Sequence, residues 1–291
     1  MGRRSFVNLP SRLLALGLTL AATGCAPLSV FNALTPSDAD GVLLGSDIPY
    51  GQGPRRHLDV YAPRERPSSA PVVVVFYGGS WDSGRKEDYA FLGKAIASRG
   101  FVTIVADYRL VPEVRFPAFL EDAAHAVQWA AKHAAEFGGD SKRMFLLGHS
   151  AGAYIAAMVA LDGRYLSAAG ASPAIIRGVG ALAGPYDFLP LDVDSTVAAF
   201  GQAANLADTQ PINFVSSSAP AMFLATGEED TTVKPRNTKA LAAKLAAAGR
   251  KPIVKSYPGV SHVGIMLAMS RTFRGSAPVL DDVTEFFKQA N

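Results

Sequence analysis

Residues 144–158 read Met-Phe-Leu-Leu-Gly-His-Ser-Ala-Gly-Ala-Tyr-Ile-Ala-Ala-Met, and the fold follows from how that run must be built. Residues 144–147 are apolar without alternation, the pattern of a short strand buried on both faces. Residues 153–160 are good helix formers. Between them Gly148-His149-Ser150-Ala151-Gly152 has to turn the chain. This is Gly-x-Ser-x-Gly between a strand and a helix, a context that puts Ser150 in a strained turn with its hydroxyl exposed. The glycines follow from crowding, because the flanking positions have no room for a Cβ. The competing reading makes Ser150 an ordinary helix N-cap. Five small or turn-compatible residues in frame favour an exposed nucleophile.

Working outward, residues 71–76 (Pro-Val-Val-Val-Val-Phe) have the composition of a central strand in a parallel sheet and run into Tyr77-Gly78-Gly79-Ser80-Trp81. A helix is expected over about 89–98, a second buried strand over 101–105, and a helix over 117–137 stopped by Gly138-Gly139. Further strands are expected at 57–61, 175–182, 221–226 and 253–257, with helices at 238–248 and 279–289. Such alternation predicts an α/β fold, a doubly wound, mostly parallel sheet of about eight strands with flanking helices. One catalytic domain is expected over 46–291, with no internal repeat. The only sizeable insertion, about residues 190–220, leaves room for a small cap at most.

A chain of 291 residues, 49% apolar and 18% charged, suffices for one large α/β domain. The formal charge of +3 belongs to Arg3, Arg4 and Arg12, because residues 1–24 contain no acid. Without them the chain is neutral, which gives no electrostatic case for nucleic acid. Those arginines precede a ten-residue apolar run at 13–22, too short to span a bilayer, and then Ala22-Thr23-Gly24-Cys25. Residues 1–24 are therefore expected to be an export signal. Ala22-Thr23-Gly24-Cys25 resembles a bacterial lipobox, with Ala22 where leucine is usual, so Cys25 is expected to carry a lipid and residues 25–45 to be a tether. The expected location is the bacterial cell envelope, with membrane contact only through that anchor; a soluble periplasmic protein is the alternative. As the only cysteine, Cys25 leaves no intramolecular disulfide and no cysteine-based metal site.

Two motifs fail on inspection. Gly79-x4-Gly84 is followed by Arg85-Lys86, which misplaces the lysine and hydroxyl of a phosphate-binding loop. Gly178-x-Gly180-x-x-Ala183 lies inside a strand and runs into Pro185, with no helix to receive a pyrophosphate.

A nucleophilic serine needs a base, and the base an orienting acid. His149 lies inside the turn and is expected to point away from the cleft; His57, His125 and His133 read as surface residues. His262 remains, in a Gly- and Pro-containing loop after the last strand. Candidate acids are Asp230 and Glu229, both just after the 221–226 strand. Backbone N–H groups for a developing oxyanion are expected from Ala151, next to the nucleophile, and from Gly79 and Ser80, with Gly78 allowing the turn. Trp81 is either a pocket wall or core.

From about residue 48 the chain resembles an α/β-hydrolase of the carboxylesterase and lipase-like group that includes hormone-sensitive-lipase-type esterases and kynurenine formamidases. The resemblance rests on Asp59-Val60-Tyr61-x-Pro63, Tyr77-Gly78-Gly79-Ser80-Trp81, Asp107-Tyr108-Arg109-Leu110-x-Pro112-Glu113, Phe116-Pro117-Ala118 with Asp122 and Trp129, the Ser150 turn, and Gly184-x-Tyr186-Asp187. It implies a Ser150–Asp230–His262 triad, choosing Asp230 because Asp230-Thr231-Thr232-Val233 matches the family pattern. It also implies structural roles for Asp107 and Arg109 and a substrate pocket touching Trp81 and Tyr186. Tyr77 departs from the family, which usually has histidine there. The implied activity is hydrolysis of small carboxylic esters without a cofactor or metal. Arylformamidase activity is the alternative, and a non-catalytic tethered binding protein a third reading. Phe188, Leu189, Phe200 and Phe214 are candidates for a modest acyl pocket, or for core.

Overall fold

The computed structural model describes residues 31, 32 and 35–290. The expected export signal and Cys25 lie outside them. Eight strands, β1 (Gly41–Pro49), β2 (His57–Pro63), β3 (Ala70–Phe76), β4 (Val102–Ala106), β5 (Gly139–His149), β6 (Ile176–Leu182), β7 (Ala221–Gly227) and β8 (Ile253–Tyr257), make one sheet in the order β1-β2-β4-β3-β5-β6-β7-β8. β1, β2 and β4 pair antiparallel, and from β4 to β8 every pairing is parallel. The unbroken valines of β3 are buried because helices cover both faces of the sheet.

The helices are α1 (Ala90–Ala97), α2 (Ala118–His133), α3 (Ala151–Leu161), α4 (Gly163–Ala168), α5 (Asp194–Phe200), α6 (Arg236–Ala247), α7 (His262–Leu267) and α8 (Val279–Gln289). α3 is apolar all round and buried from Ala151 to Val159, as a helix enclosed by neighbours must be. α8 buries Val283, Phe286 and Phe287. A Cβ on Gly178 would lie 3.0 Å from the Phe286 ring, and one on Gly180 2.8 Å from Val283. The Gly178-x-Gly180 pair thus serves close helix–sheet packing.

The chain leaves β3 for one side of the sheet and returns through β5 on the other. Ligands in open α/β sheets bind at such a switch point, beyond the carboxyl ends of the strands. Phe76 pairs with Gly148 across β3 and β5, and His149 with Leu182 across β5 and β6. The loop after β3, the turn after β5 and the loop after β6 therefore lie side by side.

The domain boundary expected near residue 45 moves upstream. β1 already begins at Gly41. Phe31 meets Phe91 edge-on at 5.4 Å and stacks on Phe273 at 6.0 Å, Asn32 bonds to the Glu87 and Asp88 carbonyls, and Asp38 pairs with Arg274 at 2.8 Å. These side chains dock singly against distant segments, which leaves no periodic trace in the sequence. The 190–220 insertion forms a small cap of α5 and two short 3-10 turns, Leu206–Thr209 and Pro211–Phe214.

Candidate active site

Ser150 stands between β5 and α3 with φ 55° and ψ −122°, a strained geometry for a residue with a side chain. The turn is as crowded as its glycines imply. A Cβ on Gly148 would lie 2.1 Å from the Gly152 carbonyl oxygen, and one on Gly152 2.0 Å from that of Phe76. The Ser150 N–H donates to the Leu182 carbonyl at 2.9 Å, tying the turn to the end of β6.

His262 opens α7, whose N-terminus Ser261 caps by accepting the Gly264 N–H at 3.2 Å. A short helix, not an open loop, thus carries the imidazole. His262 Nε2 lies 2.9 Å from Ser150 Oγ, and its Nδ1 lies 2.8 Å from Asp230 Oδ2. Asp230 is buried, and its Oδ1 accepts the backbone N–H groups of Thr232 at 2.9 Å and Val233 at 2.8 Å. Glu229 is exposed and, among the described residues, bonds only through its backbone, to Val260. The structure therefore brings together Ser150, His262 and Asp230, and leaves Glu229 outside.

His149 does not point away. Its buried ring lies beneath that of His262, centroids 4.9 Å apart. Burial, and then the neighbouring His262, push its pKa down to about 3, so it is neutral in ordinary buffers. His125 is exposed, and His57 and His133 take no part in the arrangement.

After β3 the backbone takes three left-handed steps in succession, Gly79 at φ 129°, Ser80 at 51° and Trp81 at 63°. Gly78 donates its N–H to Tyr89 Oη at 3.0 Å. The N–H groups of Gly79, Ser80 and Ala151 find no acceptor among the described residues. Three donors thus remain at the edge of the Ser150 turn, at the end of the parallel strands.

Tyr77 fills the place of the family histidine by packing as well as by hydrogen bonding. Its buried ring stacks on Tyr108 at 4.5 Å, and its carbonyl accepts the Tyr108 hydroxyl at 2.8 Å. Its own hydroxyl accepts from Arg55 Nη2 at 2.9 Å, while Arg55 also reaches the carbonyls of Tyr108, at 3.1 Å, and Gly84. Burial, with the Asp107 carboxylate close by, raises the Tyr77 hydroxyl far above its ordinary range and keeps it protonated. Arg55 escaped the sequence reading because it sits in a Gly- and Pro-rich turn that carries no signal of its distant partners. Arg109 grips buried Asp122 through Nε and Nη2 at 2.8 and 2.9 Å, and Asp107 accepts the Lys86 N–H at 2.9 Å.

Two pocket assignments are corrected. Tyr186 is fully buried, and its backbone N–H bonds to Asn237 Oδ1 at 3.0 Å. Trp81 is 3% exposed and meets Phe200 at 4.8 Å and Tyr154 at 5.4 Å, both edge-on. Phe200 belongs to the same aromatic cluster, whereas Leu189 is exposed on the cap. Aromatic packing drew these rings inward, a choice that a single sequence does not reveal.

A mostly parallel sheet with a serine on the turn after its fifth strand, an acid after the seventh and a histidine after the eighth defines the α/β-hydrolase class. Within that class the chain belongs to the BD-FAE family, which it matches over residues 58–245. It is 28% identical over 243 residues to the probable isoprenylcysteine alpha-carbonyl methylesterase ICMEL1 of Oryza sativa subsp. japonica, covering 76% of this chain and 57% of that protein. It is also 28% identical over 263 residues to esterase LipQ of Mycobacterium tuberculosis (strain ATCC 25618 / H37Rv), covering 83% and 61%. The chain thus spans about three-fifths of the length of these curated relatives. Among solved structures it superimposes on esterase B from Lactobacillus rhamnosis with a TM-score of 0.80 at 20% identity, covering 91% of this chain and 90% of that one. A truncated carbohydrate esterase from gut microbiota gives 0.75 at 21%, covering 88% and 98%.

Proposed function

We propose that this chain is a serine hydrolase of small carboxylic esters that works through an acyl-enzyme on Ser150. The observation that carries the reading is the unbroken line of hydrogen bonds from Asp230 through His262 to Ser150. As Ser150 Oγ attacks the ester carbonyl, its proton passes to His262 Nε2. Asp230, held by two backbone N–H groups, keeps the His262 Nδ1 proton in place and stabilises the imidazolium. The N–H groups of Gly79, Ser80 and Ala151 receive the oxyanion. His262 then protonates the departing alkoxide, and water repeats the sequence to release the acid.

The relatives named above are methylesterases and esterases, which favours an ester over an amide. The aromatic cluster of Trp81, Tyr154, Phe188 and Phe200 fills the space behind the oxyanion loop, and the cap is small. Both favour short or aryl acyl groups over long chains. The test is turnover of nitrophenyl acetate, butyrate and octanoate beside N-formylkynurenine, with Ser150→Ala as the blank. Ester turnover, fastest on the short chains and lost in the variant, is expected. Faster formamide turnover would move the assignment to an arylformamidase, and inactivity on all four to a binding protein.

Residues 1–24 are proposed to export the protein and Cys25 to anchor it by a lipid, on the basic, apolar and lipobox-like succession there. A Cys25→Ser protein that still partitions wholly with membranes would count against the anchor.

A further inference from the structure

Three segments meet at this site from different parts of the chain: the oxyanion loop after β3, the nucleophile turn after β5 and the base-bearing α7 after β8. Their relative placement has to hold within a fraction of an ångström for the chemistry to run. One buried path of hydrogen bonds joins all three. The Gly78 N–H donates to Tyr89 Oη at 3.0 Å, Tyr89 Oη lies 3.0 Å from His149 Nδ1, and His149 Nε2 lies 2.9 Å from the backbone carbonyl oxygen of His262.

The protons along this path can be assigned from valence alone. A carbonyl only accepts, so His149 Nε2 must carry a hydrogen for the contact with His262. A neutral ring then has a lone pair at Nδ1, which must accept. Tyr89 Oη already accepts from Gly78 and has one hydrogen to give, and Nδ1 is where it goes. The path therefore runs in one direction, from the oxyanion loop through Tyr89 and His149 to the backbone of the base. The buried position of His149 disfavours a second proton and so agrees with a neutral ring; the carbonyl of His262 selects which nitrogen carries its hydrogen.

The middle of the path is rigidly seated. Tyr89 closes the 3-10 turn Lys86–Tyr89, buried beside the sheet. Lys86 anchors that turn through its ammonium, 3.3 Å from the carboxylates of Asp59 and Asp47, and through its N–H on Asp107. Gly78 allows the contact, because a Cβ there would stand 3.0 Å from both His149 Nδ1 and Ser150 Cβ. Its N–H is also used up by Tyr89, which leaves the neighbouring donors to face a substrate.

We propose that Tyr89 and His149 form a buried bridge that fixes the oxyanion loop, the nucleophile turn and the base helix to one another, making both positioning residues for the reaction. Neither side chain reaches the substrate. The inference rests on the serine-hydrolase reading above.

The test uses the full-length protein with a fluorophosphonate to count competent serines, so that kcat is expressed per labelled site. Tyr89→Phe removes the hydroxyl and keeps the ring. His149→Asn keeps an acceptor near Nδ1 and removes the Nε2 donor. Each is expected to lower kcat roughly tenfold with KM within about twofold, the size of one lost positioning hydrogen bond. The double variant is expected to match the singles, because cutting one path twice adds nothing. His149→Gln, whose amide N–H can reach the His262 carbonyl, is expected to recover part of the loss. In wild-type protein with 15N-labelled histidine, His149 should show the Nε2–H tautomer from pH 5 to 8, with an Nδ1 shift that moves in Tyr89→Phe. Unchanged kcat per site in both single variants, multiplicative losses in the double, or the opposite tautomer would overturn the bridge. A wild-type protein that neither labels nor turns over ester would instead overturn the reading of the site itself.

Discussion

Replacing Asp230 by asparagine should disable the site by reversing one tautomer while leaving its shape intact. Oδ1 of Asp230 accepts two backbone N–H groups, from Thr232 and Val233. An asparagine at this position must keep its carbonyl oxygen there, because its NH2 would meet two donors. The NH2 is then forced to the Oδ2 position, 2.8 Å from His262 Nδ1. Facing a donor, Nδ1 becomes the acceptor and the ring proton moves to Nε2, opposite Ser150 Oγ. A protonated Nε2 cannot take the serine proton. The loss expected from a wrong tautomer in such a triad is about 10⁴-fold in kcat, or about 5 kcal/mol of transition-state stabilisation. Both backbone bonds survive, so stability should fall by only about 1 kcal/mol. The assay is steady-state turnover of nitrophenyl butyrate beside a thermal melt. An Asp230→Asn protein within tenfold of wild-type kcat would refute the reasoning, since the orientation of the amide is forced by two N–H groups and cannot relax.

Other consequences are open to measurement. Gly152→Ala places a methyl 2.0 Å from the Phe76 carbonyl oxygen, between two backbone segments that cannot move apart cheaply, and is expected to cost about 3 kcal/mol with a clear drop in Tm; a wild-type melting curve would contradict it. Arg55→Met strips donors from the Tyr77 hydroxyl and the Tyr108 and Gly84 carbonyls, and should lower kcat about tenfold, with Arg55→Lys intermediate because an ammonium cannot reproduce the fork. His149, depressed to about 3 by burial, binds its proton more weakly folded than unfolded. The unfolded chain therefore holds more protons between about pH 3 and the ordinary histidine range near 6.5, and stability rises with pH across that window. Stability is fully present above it and is lost as pH falls towards 3. Denaturant titrations at pH 4 and 7 should show a smaller difference in His149→Gln than in wild type; equal differences would mean that another group governs the acid limb.

Much of the molecule was legible in one dimension because local rules govern it. Unbroken valine runs identify two-sided burial, the glycines around Ser150 identify a turn with no room for a Cβ, and the succession of strand and helix leaves a doubly wound sheet as the consistent topology. The order of Ser150, Asp230 and His262 follows from that sheet, because each stands after the carboxyl end of a different strand. The family resemblance already pointed to Asp230, but the physical reason it and not Glu229 serves came from the folded chain, since neighbours in sequence diverge in burial only once the β7 turn is packed. The folded chain drew Trp81 and Tyr186 into the core, docked residues 31, 32 and 35–40 where composition suggested a tether, and turned His149 inward beneath the base. Arg55, Tyr89 and the His149 tautomer belong to tertiary structure for the same reason. Their partners lie tens of residues away in the chain, and a hydrogen bond at such separation leaves no periodicity, capping signal or turn motif in the sequence; it exists only when the sheet brings its loops to one edge.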